Sequence, residues 1–102
     1  MKIIIEFQYF ESCPHYIKML TNLQKAMNGL EDKIEFKKVL VENEETARKV
    51  GFRGSPTIII AGDDLESLPV PANPAMACRF YSNGIPSSEV IRKIIFEKIK
   101  KE

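Results

Sequence analysis

The residues best suited to chemistry in this 102-residue chain are Cys13, Pro14 and His15, in the run Phe10-Glu11-Ser12-Cys13-Pro14-His15-Tyr16. A thiol attacks as its thiolate. At a helix start the first amides have no intrahelical partners, and with the macrodipole they favour that anion over the thiol. Free thiols ionise near about 8.5, and such surroundings lower the value by one to several units. Pro14 suits a first helical turn because its missing N–H costs nothing there. His15, when protonated, adds a second favourable charge; otherwise it is a solvated residue at a helix start. A dithiol centre at this turn would carry its second cysteine where Tyr16 stands. Tyr16 cannot close a disulfide, so either the chemistry here uses one sulfur or the turn has no redox role.

The elements that must position Cys13 follow from the hydrophobic periodicity. Residues 2–9 place Ile3, Ile5, Phe7 and Tyr9 on one face and Ile4 on the other, which predicts a strand covered on both sides. From Tyr16, the apolar positions Met19, Leu20, Leu23, Ala26, Met27 and Leu30 recur at helical spacing, and Asn28-Gly29 closes that helix. Residues 33–41 read as a second strand, so strand, helix and strand imply a parallel crossover. Asn43 is the expected N-cap of a short helix that has Glu44 and Glu45 in its first turn, Arg48 and Lys49 in its last, and Gly51 beyond.

The second half changes character. Thr57 to Ala61 form a β-branched strand that Gly62-Asp63 ends. Residues 63–77 contain Pro69, Pro71 and Pro74, too proline-dense for a regular element and expected to be a surface excursion between paired strands. Cys78 to Ser82 are predicted to be the last strand, with a turn at Asn83-Gly84. Ser87 is the expected N-cap of a final helix that turns Val90, Ile91, Ile94, Ile95 and Ile99 inward and lysines outward. The order is βαβ-α-ββα, an α/β fold with a four-stranded mixed sheet flanked by three helices in a single domain.

Two motifs in this frame carry a family resemblance: Cys13-Pro14-His15 where the first strand meets its helix, and Gly54-Ser55-Pro56-Thr57 opening the third strand. Together they resemble the thioredoxin superfamily, in which the first site carries C-x-x-C and a proline after a cis peptide bond faces it. Cys-Pro-His is similar to the motif of the periplasmic disulfide oxidases, and the overall length is more like glutaredoxin. The resemblance covers nearly the whole chain apart from about residues 63–77, and Tyr16 departs from it. It implies a thioredoxin-like fold, a nucleophilic Cys13 tuned by His15, and a substrate groove built from Pro14, Tyr16, Ser55, Pro56 and Thr57. A cis bond before Pro56 would point the Ser55 backbone toward Cys13, where an extended thiol-bearing peptide could add main-chain hydrogen bonds. Tyr9, Phe10 and Arg53 are further candidates for that groove, or else core. By analogy with glutaredoxin, the Ser87-Ser88 helix start would receive a carboxylate of a small thiol.

Cys78 is expected at the far end of the sheet. A strand from Cys78 to Gly84 at about 3.3 Å per residue leaves it roughly 20 Å from Cys13, beyond the Cα separation of about 7 Å that a disulfide tolerates. It therefore reads as a small buried apolar residue, with a bridge to Cys13 as the alternative should the proline-rich excursion displace the start of the strand. The same separation argues against a metal site built from Cys13, His15 and Cys78. No cofactor is expected, with glutathione as a candidate co-substrate.

Composition narrows the classes. Hydrophobic residues at 44%, charged residues at 28% and a net charge of +1 describe an ordinary folded domain, with no electrostatic reason to expect nucleic acid or a membrane as partner. The stretch MKIIIEF has three consecutive apolar residues before Glu6, too few for a secretory core, so a cytoplasmic location and, by default, a monomer are expected. The leading expectation is a thiol-disulfide oxidoreductase in which Cys13 exchanges mixed disulfides with an external thiol, its partners being a small thiol or a thiol- or disulfide-containing peptide. Two alternatives stand beside it: a noncatalytic peptide-binding module, and a thiol protein that captures soft metals or electrophiles.

Overall fold

Alternating apolar side chains make Ile3–Tyr9 the central strand β1 of a computed structural model that describes residues 2–101. Ile3, Ile5, Phe7 and Tyr9 are buried on one face, as their alternation requires. The opposite face is covered only in part: Ile4 is 42% exposed, whereas Gln8 is buried and donates to the Val50 carbonyl. The expectation of cover on both sides therefore holds only towards the Tyr9 end, at Gln8.

Helix α1, His15–Met27, lays Met19, Leu23 and Ala26 on the core face of the sheet. Its last carbonyls, which lack intrahelical donors, are met from outside: Arg92 donates to the oxygens of Ala26 and Asn28. A short 3₁₀ turn, Glu31–Lys33, leads into β2, Ile34–Leu40, which pairs with β1 in parallel from Ile3 opposite Ile34 to Tyr9 opposite Leu40. Helix α2 spans Glu44–Val50. The Asn43 side chain accepts from the Thr46 amide at 2.8 Å, and Gly51 ends the helix in the left-handed region at φ +63°, which glycine enters without a Cβ penalty. β3, Thr57–Ile60, is buried throughout and antiparallel to β1, with Thr57 opposite Gln8.

The predicted last strand is corrected. The fourth strand, β4, is Asp63–Asp64, reached from β3 through the positive-φ pair Ala61 and Gly62 and paired antiparallel with Ile59 and Ile60. The sheet order is β2-β1-β3-β4. Residues 65–77 then return to the Pro56 end of the sheet, and Cys78–Ser82 form no strand of it. Cys78 makes instead a single parallel bridge to Ser55. The cause is side-chain chemistry that periodicity does not record: Arg79 is drawn inward to a buried carboxylate on β4, and Tyr81 donates to the Pro56 carbonyl at 2.8 Å.

Helix α3, Ser88–Lys101, closes the core with Ile91 and Ile95, while Ile94 and Ile99 pack at its margin. The Ser87 hydroxyl accepts from the Val90 amide, as a capping serine should. Val90 itself is 50% exposed, so the inward face of α3 is narrower than its sequence suggests. Among the described residues no helix is long and apolar enough to cross a membrane. The architecture, three helices around a four-stranded mixed sheet, is the α/β arrangement read from the element order.

Candidate redox site

Cys13 sits between β1 and α1, one residue before Pro14, which caps α1 at φ −67°. It is fully buried. The cover over it is the returning chain, because Cys13 is joined in a disulfide to Cys78 with a Cα–Cα distance of 6.0 Å. The placement of Cys78 about 20 Å away is thus overturned, as is its reading as a buried apolar residue, since Cys78 is exposed. Both errors share one source: residues 78–82 do not begin a strand at the remote edge but cross the sheet at its Pro56 end.

The backbone around Ser55 holds Cys78 there. Ser55 donates its amide to the Ala77 carbonyl at 2.9 Å and accepts from the Arg79 amide at 2.8 Å, so residues on both sides of Cys78 are fastened to it. The Ser55 carbonyl oxygen also lies 3.8 Å from Cys13 Sγ. Gly54 makes the approach possible: a Cβ there would stand 2.8 Å from Arg79 Cβ and 3.2 Å from the Ala77 oxygen, and its φ is +104°. The Ser55–Pro56 peptide bond is cis.

Beneath this segment lies a buried ion pair. Arg79 donates to both oxygens of Asp64, at 2.6 and 2.8 Å, a bidentate arrangement with charge-assisted strength, and again to Thr57 Oγ1 at 3.2 Å. Thr57 in turn donates to the Gly54 carbonyl at 2.6 Å. The Asp64 carboxylate also accepts the amides of Glu66 and Leu68. Burial alone would raise the Asp64 pKa; the Arg79 hydrogen bond, those two amides and the guanidinium charge outweigh it and hold the carboxyl below its ordinary 3.8. A depressed carboxylate pKa contributes stability that is complete above the unfolded value and is lost as pH falls through the folded one. The expected result is a fold that keeps this contribution down to about pH 4 and loses it below; an Asp64→Asn variant, followed by circular dichroism during acid titration, should lack that acid-dependent part. Burial also raises the Tyr81 hydroxyl above its usual value, so it remains a neutral donor to Pro56.

The other expected site residues are distributed unevenly around the disulfide. His15 is exposed and its ring meets Phe80 edge-on, with centroids 5.6 Å apart, so it flanks the bridge on the solvent side. Tyr16 is half-buried against Tyr9, 4.7 Å between centroids, and belongs to the core margin. Ser55 Oγ accepts from the Phe10 amide at 3.1 Å, which ties the Pro56 loop to the strand end beside Cys13. Phe10 packs against Phe52, and Tyr9 lies in the core. Arg53 donates to the Leu68 carbonyl and lines a shallow pocket with Cys78. The Ser87 helix start is not at the disulfide: Pro86 is held by Asn22, seven residues into α1 and roughly 10 Å along its axis from His15.

Asp64, Arg79 and Tyr81 had no place in the sequence expectations. Their signal was weak: an arginine in the apolar-flanked run Cys78-Arg79-Phe80-Tyr81 needs a buried acid as counterpart only once it is buried, which the sequence alone does not say. Among the described residues no group of three or more His, Cys, Asp or Glu side chains could hold a metal ion.

No protein-family model matches this chain, and no curated protein matches it in sequence. Solved structures do match in shape. A thioredoxin-2 described as a component of malaria parasite protein secretion machinery superposes with a TM-score of 0.63 at 23% identity, over 94% of this chain and 82% of its own. Chloroplastic thioredoxin z gives 0.64 at 19%, over 99% and 80%. The chain has a thioredoxin-like fold. A selenoprotein W-related protein from Vibrio cholerae also matches, with a TM-score of 0.58 at 15% identity, over 97% of this chain and 99% of that one. In this thioredoxin-fold chain the second cysteine of the bridge comes from a distant loop, 65 residues along the sequence, and not from position 16.

Proposed function

We propose that this protein is a thiol-disulfide oxidoreductase whose redox couple is Cys13 with Cys78, in place of the one-sulfur exchange expected from the sequence. The observation that carries the reading is the bridge itself, set at the start of α1 and beside Ser55. A helix start favours the Cys13 thiolate, which makes Cys13 both a competent nucleophile and a good leaving group. With Cys78 held opposite, a mixed disulfide on either sulfur is resolved within the chain, and an external thiol is not required for that step.

Equilibration in glutathione redox buffers tests the reading. The expected result is one reversible transition in which two thiols per chain appear and disappear together, read by alkylation and mass spectrometry. Accumulation of a stable glutathione adduct on Cys13 beside a free Cys78 would instead restore the one-cysteine mechanism. Thiols that fail to interconvert in the folded protein would remove the oxidoreductase reading altogether.

A further inference from the structure

A thiol-bearing peptide that binds beside Cys13 in extended form needs main-chain partners, and Ser55 offers the nearest pair, one N–H and one C=O. Both are taken, since Ala77 accepts from the one and Arg79 donates to the other. The residue between them is the cysteine joined to Cys13. The segment Ala77–Arg79 therefore has each attribute of a bound substrate strand: an extended backbone bridged to Ser55, a cysteine at its centre, and that cysteine in a disulfide with Cys13. Its neighbours reinforce the placement, because Arg79 is clamped by Asp64 and Thr57, and Gly54 leaves room for the close approach.

We propose that Ala77–Arg79 is a built-in substrate strand, so that the oxidised protein exchanges with small thiols at the exposed Cys78 and admits no peptide strand at Ser55. This deepens the reading of Cys13 and Cys78 as a redox couple and rests on it. Cys13 Sγ is shielded and Cys78 is exposed, which decides the direction of attack. A small thiol, as its thiolate, forms a bond to Cys78 Sγ while the Cys13–Cys78 bond breaks and its electron pair leaves on Cys13 Sγ, at the start of α1. A second thiolate then attacks the sulfur of the first small thiol, releasing Cys78 as thiolate and one small-molecule disulfide. Two thiols have been oxidised to one disulfide, and their two protons end on Cys13 and Cys78. The approach is open on the side of a shallow pocket lined by Arg53, Gly54, Asn73 and Ala77.

Two measurements test the proposal. In the first, the oxidised protein is reduced by a cysteine-containing hexapeptide and by the same peptide N-methylated on both sides of its cysteine. A peptide that paired with Ser55 would lose about fivefold for each main-chain hydrogen bond removed; the expected result is a change below about twofold for the wild type, with glutathione reacting at least as fast as either peptide. A loss of fivefold or more on N-methylation overturns the proposal. In the second, amide hydrogen exchange in the oxidised wild type is expected to show the Ser55 and Arg79 amides at least about 100-fold slower than in an unfolded chain. Free exchange at both overturns it without reference to any activity. If both measurements give the expected result but the two thiols never interconvert in glutathione buffers, the strand assignment stands and the oxidoreductase reading alone fails.

Discussion

Cys13→Ser and Cys78→Ser are each expected to abolish the two-thiol transition, and to fail in different ways. Cys13→Ser leaves the exposed sulfur, which should take up glutathione as a stable adduct because the group that would expel it is gone. Cys78→Ser leaves Cys13 beneath the Ala77–Arg79 segment, still fastened to Ser55 through two hydrogen bonds that do not involve the cysteine side chain. Its alkylation should be slower than that of Cys78 in the companion variant. Turnover of a disulfide substrate should fall on the order of 100-fold or more in both variants, since the intramolecular partner supplies the proximity that an external thiol at millimolar concentration does not. Equal alkylation rates for the two single-cysteine proteins would show that the segment does not shield Cys13 once the bridge is gone.

The largest stability effect is expected at Asp64. Asp64→Asn removes one charge of a buried bidentate pair and leaves the Arg79 guanidinium unpaired among Thr57, Tyr81 and the backbone. Breaking such a pair from one side costs about 3–5 kcal/mol. Asparagine keeps an oxygen for the Glu66 and Leu68 amides, so the loss reports the ion pair more than the turn. The double variant Asp64→Asn with Arg79→Met removes the stranded charge as well and should recover a large part of the loss. Urea denaturation with an unchanged m value provides the comparison. A single variant that shifts stability by less than about 1 kcal/mol would mean that Arg79 finds water or another acceptor, and that the pair does not hold the segment.

The elements of the first half were legible because each carries a local signature. The alternation of Ile3, Ile5 and Phe7, the helical spacing of Met19, Leu23 and Ala26, the Asn43 cap and the Gly51 stop each depend on residues within one or two turns of one another. Cys13 was recognisable for the same reason, since its position at a strand-to-helix junction is a local property. Cys78 was not. Its location depends on Arg79 meeting Asp64, 15 residues earlier in the chain, and on Ser55 offering its backbone 23 residues earlier, neither of which leaves a periodic trace. A run such as Cys78-Arg79-Phe80-Tyr81 reads as a strand by propensity, yet Phe80 is 78% exposed and Arg79 is buried, the reverse of what hydropathy assigns. Long-range polar pairing overrode local preference at the one place where it mattered for the site.

The bridge also divides the molecule in a way that the sheet does not. The covalent ring closed by Cys13 and Cys78 contains α1, β2, α2, β3 and β4, while β1 and α3 lie outside it on the two free arms of the chain. The strand at the middle of the sheet is thus supplied by an arm: β1 must slot between β2 and β3, two strands already tethered within one loop. Oxidation narrows the conformations open to the looped majority of the unfolded chain. It leaves the central strand and the closing helix on untethered ends.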